Sequence, residues 1–391
     1  MIDHTSLLNN KIVGLKPSGI RRFFDIANEM DDVISLSIGE PDFTTPWHVR
    51  EEGIKSLRDG KTWYTPNSGF KTLRGEICNY MNRRFGVSYN PDNEVLVTVG
   101  GSEAIDLCMR CLINPGDEVL IVSPGFVCYE PICLMCGGVP VTLKTKAEDN
   151  FKLTPYALRA AITDKTKLLV LPYPNNPTGA IMTTHELEEI CDIVTKHNIL
   201  VMSDEIYGEL TYTSEGHTCL SAIDGMKERS IIVSGFSKSY AMTGWRLGYA
   251  LGPQKIIEAM TRLHQYAIMS APTTAQYAAI EALKNGDEDI LRMKKEYNQR
   301  RRYIIDSFNK MGLDCFEGLG AFYVFPCIKS TGLTSEDFCM KLLQSKRVAV
   351  VPGNAFGDCG EGFIRVSYSY SLDHIKEAVK RINEFLTEIK K

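Results

Sequence analysis

IIVSGFSKSYAMTGWRLGYALG, residues 231–252, begins and ends on apolar runs, and between them stand a lysine, Lys238, and eight residues later an arginine, Arg246. The flanking runs are continuously apolar rather than alternating, as strands buried on both faces are. Two cations held close together at the end of a buried strand require a reason.

Working outward, EVLVTV (94–99), EVLIVS (118–123), KLLVLPY (167–173) and ILVMSD (199–204) are runs of the same kind, separated by amphipathic stretches. The alternation predicts an α/β core over residues 47–285, a mainly parallel sheet between helices. From Thr183 to Asn198 the helical period is direct: Leu187, Ile190, Cys191 and Val194 share a face behind a Thr183/Glu186 capping box. Residues 1–46 and 286–391 are assigned to a smaller α+β domain. There GAFYVFPCI (320–328), RVAVVPG (347–353) and FIRVSYS (363–369) read as strands, closed by a helix carrying Ile375, Ala378, Val379, Ile382 and Phe385.

Composition narrows the function. The 391 residues are 44% hydrophobic and 24% charged with a net charge of −4, and no basic block suggests a nucleic-acid or anionic-membrane surface. No apolar run approaches the roughly 18 residues of a membrane span. The first thirty residues carry no secretory apolar core, so a cytoplasmic location is expected. Among twelve cysteines, Cys108/Cys111 and Cys133/Cys136 have C-x-x-C spacing. The first pair lies in SEAIDLCMRCLI, whose pattern suits a buried helix better than a zinc knuckle, and no metal is expected.

In an open α/β sheet, ligands collect at the carboxyl ends of the strands. After the first run come Gly100-Gly101-Ser102-Glu103 opening a helix, a place where free N–H groups and the helix dipole favour an anion. Neither a P-loop nor a G-x-G-x-x-G is present. After later runs come Pro174-Asn175-Asn176-Pro177-Thr178-Gly179, then Asp204-Glu205-Ile206-Tyr207, then Ser237-Lys238 and Arg246. Singly these are a turn, a solvated carboxylate and surface cations. Together, an anion site, an acid, a tyrosine, an asparagine and a lysine at adjacent strand ends suit one ligand, a phosphorylated aromatic aldehyde held on lysine: pyridoxal 5′-phosphate.

With GEPDF (39–43), YTPNSG (64–69), VGGSEA, NNPTG, DEIY, GFSKSYAMTGWRLG and FIRVS in this order, the chain resembles the class I/II aminotransferases of the fold type I pyridoxal-phosphate enzymes over nearly its whole length. The resemblance implies a large domain with a seven-stranded sheet plus a smaller α+β domain. It makes Lys238 both the cofactor's attachment point and the catalytic base. Asp204 would pair with the pyridine nitrogen, Tyr207 and Asn176 with the ring oxygen, and Phe126 would stack on the ring. Gly101, Ser102, Glu103, Ser237 and Arg246 would surround or support the phosphate, with Tyr64 reaching it from the neighbouring subunit of a homodimer whose sites lie at the interface. Arg365, with Gly39 and Asn176, would hold the substrate carboxylate. Pro124 and Pro177 match positions often cis in relatives.

One departure is Gly235, where many relatives place a phosphate-binding serine; Ser237 or a neighbouring hydroxyl is the expected substitute. No second cation marks a dicarboxylate specialist, and Tyr129, Phe322 and Tyr323 suit either a large apolar substrate side chain or simple packing. The implied reaction is ping-pong transfer of an amino group from an L-amino acid to a 2-oxo acid such as 2-oxoglutarate. The alternatives are a pyridoxal-phosphate β-lyase cleaving cystathionine-like thioethers and a non-catalytic regulatory protein that binds the cofactor. The second is disfavoured because no helix-turn-helix segment precedes the core.

Overall fold

The computed structural model describes residues 2, 4–15 and 30–389, so residues 16–29 of the N-terminal segment lie outside the described residues. β1 (Ile34–Ser35) joins the C-terminal part of the chain. The next seven strands form one sheet: β2 (Val95–Thr98), β3 (Glu118–Ser123), β4 (Val139–Lys144), β5 (Thr166–Leu171), β6 (Leu200–Asp204), β7 (Ser230–Gly235) and β8 (Gly248–Leu251). Their order is β2-β8-β7-β6-β5-β3-β4, parallel throughout except for β8.

Continuous apolarity has a direct structural cause here. Val95, Val97, Leu120, Val122, Leu169, Leu171 and Ile232 feed the core on one face, while Leu96, Val119, Ile121, Leu168, Val170, Ile231 and Val233 feed that on the other. Period-2 geometry sends successive side chains to opposite faces, and both faces are covered. β4 was not visible as such a run: it lies at one of the two sheet edges with Val139 exposed and only Leu143 buried, and Pro140 breaks its apolar pattern.

The antiparallel strand β8 is what brings the two cations together. Gly235 at the end of β7 lies opposite Gly248 at the start of β8, so the chain leaves and re-enters the sheet at the same edge. Lys238 and Arg246 both lie on that short connection.

The predicted capping box is present on the helix Thr184–Lys196: the Thr183 hydroxyl accepts the Glu186 N–H at 3.3 Å, and the Glu186 carboxylate accepts the Thr183 N–H at 2.8 Å. Both C-x-x-C pairs lie in helices, Gly101–Leu112 and Tyr129–Cys136. Burial raises the Cys111 thiol to about 11 and that of Cys133 to about 12, far from a reactive thiolate.

The C-terminal part contains β9 (Tyr323–Val324), β10 (Val348–Ala349), β11 (Val351–Pro352) and β12 (Ile364–Ser367). β11-β12-β9 is antiparallel, and β1 pairs in parallel with β10. The run at 320–328 yields a ladder of two residues because Ala321 is left-handed (φ 56°) and Pro326 has no N–H to give. The helix Leu372–Ile389 buries Ile375, Ala378, Ile382 and Phe385 in a separate core with Tyr297, Ile304 and Phe308 of the helix Asp287–Lys310.

Candidate active site

A cavity of about 850 Å³ opens where the parallel strands end. Strand ends supply its floor: Gly101 and Ser102 after β2, Phe126 after β3, Asn176 after β5, Asp204 and Tyr207 at β6, Ser237 and Lys238 after β7, and Arg246 before β8. The small domain adds Tyr323 and Arg365, and the segment after β1 adds Ser37, Gly39 and Glu40.

Gly100 has φ +82°, and a Cβ there would stand 2.8 Å from the Arg246 guanidinium. Glycine therefore lets the guanidinium lie beside the first N–H groups of the helix Gly101–Leu112, and a cation and a helix N-terminus face the same end of the cavity. The Arg246 Nη1 donates to the Thr243 carbonyl at 2.9 Å, which fixes the fork in place.

Asp204 is buried. It accepts the Tyr129 hydroxyl at 2.6 Å and the Ile206 N–H at 3.2 Å. Burial raises its carboxyl above the ordinary range, and the Tyr129 hydrogen bond opposes the rise. Lys238 donates to the Gly39 carbonyl at 2.6 Å and lies 5.9 Å and 5.6 Å from the ring centres of Tyr207 and Phe322. Burial lowers its ammonium to about 8; Glu40 opposes the shift, whereas Arg365 and Arg246 add to it.

Arg365 is wholly enclosed. Its Nη1 donates to Asn176 Oδ1 at 3.0 Å and its Nη2 to the Ser37 carbonyl, while Nε is buried without a partner. It is sandwiched between the rings of Tyr323 and Phe356 at 4.6 Å and 4.8 Å. A buried guanidinium with an unused donor is suited to an anion that completes it.

Not every expected residue lines this cavity. Glu103 turns away: its carboxylate accepts the Val99 N–H and meets His264 Nδ1 at 2.8 Å, beneath the helix start. Tyr64 is 77% exposed and does not line the cavity of its own chain. Gly235 leaves no room for a serine, because a Cβ there would stand 2.9 Å from the Gly248 Cα, whereas Ser237 does line the cavity. Ser123–Pro124 and Asn176–Pro177 are cis, as is Tyr173–Pro174. Phe322 is core packing, and Tyr129 and Tyr323 reach the cavity with their hydroxyls bonded to Asp204 and Tyr207. Sequence reasoning gave those two hydroxyls no such partners, and Glu40, hydrogen-bonded by the Thr243 hydroxyl, was not singled out. Among the described residues lining the cavity, the cations are Lys238, Arg246 and Arg365.

The pattern that defines the class I and II aminotransferases matches residues 31–382. The chain belongs to this family. It is 50% identical over 382 residues to the putative aminotransferase YugH of Bacillus subtilis, covering 98% of this chain and 99% of that one. A solved structure titled Pyrococcus protein-A1 superposes with a TM-score of 0.95 at 43% identity, covering 97% of this chain and 99% of that one. The aromatic aminotransferase of Pyrococcus horikoshii superposes with a TM-score of 0.90 at 42% identity, over 94% and 99%. As an aminotransferase of this family, the protein is an enzyme of the pyridoxal-phosphate-dependent transferases.

The aminotransferase cavity suits that cofactor in its own right. Arg246 with the helix N-terminus fits the phosphate, Asp204 a ring nitrogen, the Phe126 ring a flat aromatic face, and Lys238 an aldehyde carbon.

Proposed function

We propose that the protein transfers an amino group from an L-amino acid to a 2-oxo acid such as 2-oxoglutarate, with pyridoxal phosphate held by Lys238. The observation that carries this reading is a single cavity lined by the Lys238 amine, the Asp204 carboxylate and the half-satisfied Arg365 guanidinium together. Bound pyridoxal phosphate supplies a carbonyl that takes the amino group and a ring that draws electrons from the donor Cα.

The chain's residues do the rest. Arg365 grips the α-carboxylate through the donors that Asn176 and Ser37 leave free, which fixes the Cα beside Lys238. Lys238, with a proton affinity near working pH, would hold the cofactor and, as a neutral amine, would serve as the base that takes up and gives back the Cα proton. Asp204, kept in position by Tyr129, holds a proton at the ring nitrogen. Arg246, Gly101 and Ser102 bind the phosphate. Tyr207 and Asn176 donate to the ring oxygen.

Two copies complete the arrangement in this proposal, with Tyr64 of each reaching the other's phosphate. Trp63, Tyr64, Tyr266, Ile268 and Met269 are all exposed, and hydrogen bonds from Asn67 to the Met269 carbonyl (2.8 Å) and from Thr273 to the Trp63 carbonyl (2.6 Å) gather them into one apolar patch. A patch of this kind suits a self-complementary contact.

The test is a visible spectrum of the cofactor-loaded protein during addition of single amino acids without any oxo acid. Loss of the original band with one 2-oxo acid released per site, reversed by 2-oxoglutarate, supports transfer, and the best converter identifies the donor. Pyruvate accumulating under an unchanged band would mean β-elimination instead.

A further inference from the structure

Tyr207 and Tyr323 come from different domains and meet hydroxyl to hydroxyl at 2.9 Å, both buried. The contact is built rather than incidental. Ala321, two residues before Tyr323, adopts φ 56°, and its carbonyl accepts the hydroxyls of both Tyr212 (2.6 Å) and Tyr368 (3.0 Å). That anchors the start of β9, where Tyr323 pairs with Ser367 of β12. Room for the Tyr323 hydroxyl comes from Gly39: a Cβ on Gly39 would stand 2.0 Å from that oxygen. Glycine at 39 therefore serves the tyrosine pair as well as the carbonyl that accepts Lys238.

A tyrosine hydroxyl has one proton to give and lone pairs to accept with. If Tyr207 gives its proton to the cofactor's ring oxygen, the 2.9 Å contact has one possible direction, with Tyr323 as donor. The Arg365 guanidinium, 4.6 Å from the Tyr323 ring centre, favours the same direction, because a cation over a phenol makes its hydroxyl a better donor. We infer that Tyr323 is a positioning residue for Tyr207: its hydroxyl donates to the Tyr207 oxygen and so strengthens the hydrogen bond that Tyr207 gives to the ring oxygen of the cofactor. Hydrogen bonds in series polarise one another, so the second tyrosine acts on the ring without touching it. This inference rests on the function proposed above and deepens it.

The consequence concerns a proton. A donor aimed at the ring oxygen competes with the proton which that oxygen shares with the neighbouring lysine nitrogen, and so favours its loss. The readout is the pH midpoint of the visible band of the protein loaded with pyridoxal phosphate, measured without substrate. Tyr323→Phe, which keeps the ring against Arg365, is expected to raise the midpoint by about half a pH unit. Tyr207→Phe should raise it by about one unit or more, and adding Tyr323→Phe to Tyr207→Phe should move it no further, since the path runs through Tyr207. Thermal melts of the loaded variants identify any that have lost the fold, and Gly39→Ala, whose Cβ would displace the Tyr323 hydroxyl, must then shift the midpoint in the same upward direction. A loaded protein whose midpoint ignores Tyr323→Phe, or shifts equally with and without Tyr207, overturns this inference alone. A protein that takes up no pyridoxal phosphate overturns the proposed function with it.

Discussion

At Lys238 a buried amine must be a base without being a permanent cation. Its ammonium, brought from 10.5 to about 8, sets two expectations for the cofactor-free chain. Uptake of pyridoxal phosphate needs the neutral amine, so the rate should climb about tenfold per pH unit below 8 and level off above it. Stability follows the same group with a definite sign. Below pH 8 the lysine is charged in both folded and unfolded chains, and burying that charge penalises folding. Between about 8 and 10.5 the unfolded chain binds more protons, so stability rises with pH. Lys238→Met should accordingly raise the melting temperature of the cofactor-free protein at pH 7, with the gain shrinking above pH 8, while abolishing turnover. At Arg365 the expectation concerns affinity: Arg365→Ala should raise KM for amino and oxo acids on the order of a hundredfold, with a smaller change in kcat, because the lost interaction is present before the chemistry begins.

Among the elements, the helix Thr184–Lys196 depends on its reciprocal cap, and Thr183→Ala should cost about 1 kcal/mol in chemical denaturation without altering the visible spectrum. This cap was legible from four residues of sequence because its partners are local. Strands buried on both faces were legible for a related reason: each announces its environment in its own composition. β4 did not, since only Leu143 of its six residues is buried, whereas β2 at the opposite edge is buried throughout. Lys238, Asp204 and Arg246 were readable as polar residues stranded at the ends of apolar runs. Their supports were not. Tyr129 stands 75 residues from Asp204 and Tyr323 stands 116 from Tyr207, and no periodicity links residues that only the sheet order and the closing small domain bring together. Why position 235 is glycine was equally hidden, because the obstacle to a side chain there is the backbone of β8, while Ser237, the expected substitute, lines the cavity.

For the whole molecule, the proposed exchange of Tyr64 between two chains can be tested by mixing disabled copies. A Lys238→Ala chain and a Tyr64→Ala chain, each poor alone, should regain activity when dissociated and reassociated together. One site of each hybrid then has an intact lysine from one chain and an intact tyrosine from the other. The expected recovery is about a quarter of wild type under random mixing, and failure to recover would place Tyr64 outside the partner's site. The glycines at the sheet edge lead to a different consequence. A Cβ on Gly248 would stand 2.6 Å from the Gly100 carbonyl carbon, and one on Gly235 would stand 2.9 Å from the Gly248 Cα. Three stretches of bare main chain thus lie against one another beneath the anion end of the cavity. In a saturation library these positions should form an island where every codon but glycine is lost, whereas Ser37, Ile38 and Val127 on the open walls leave donor preference free to drift. Selection for a new substrate would therefore rewrite one side of this cavity and leave the other untouched.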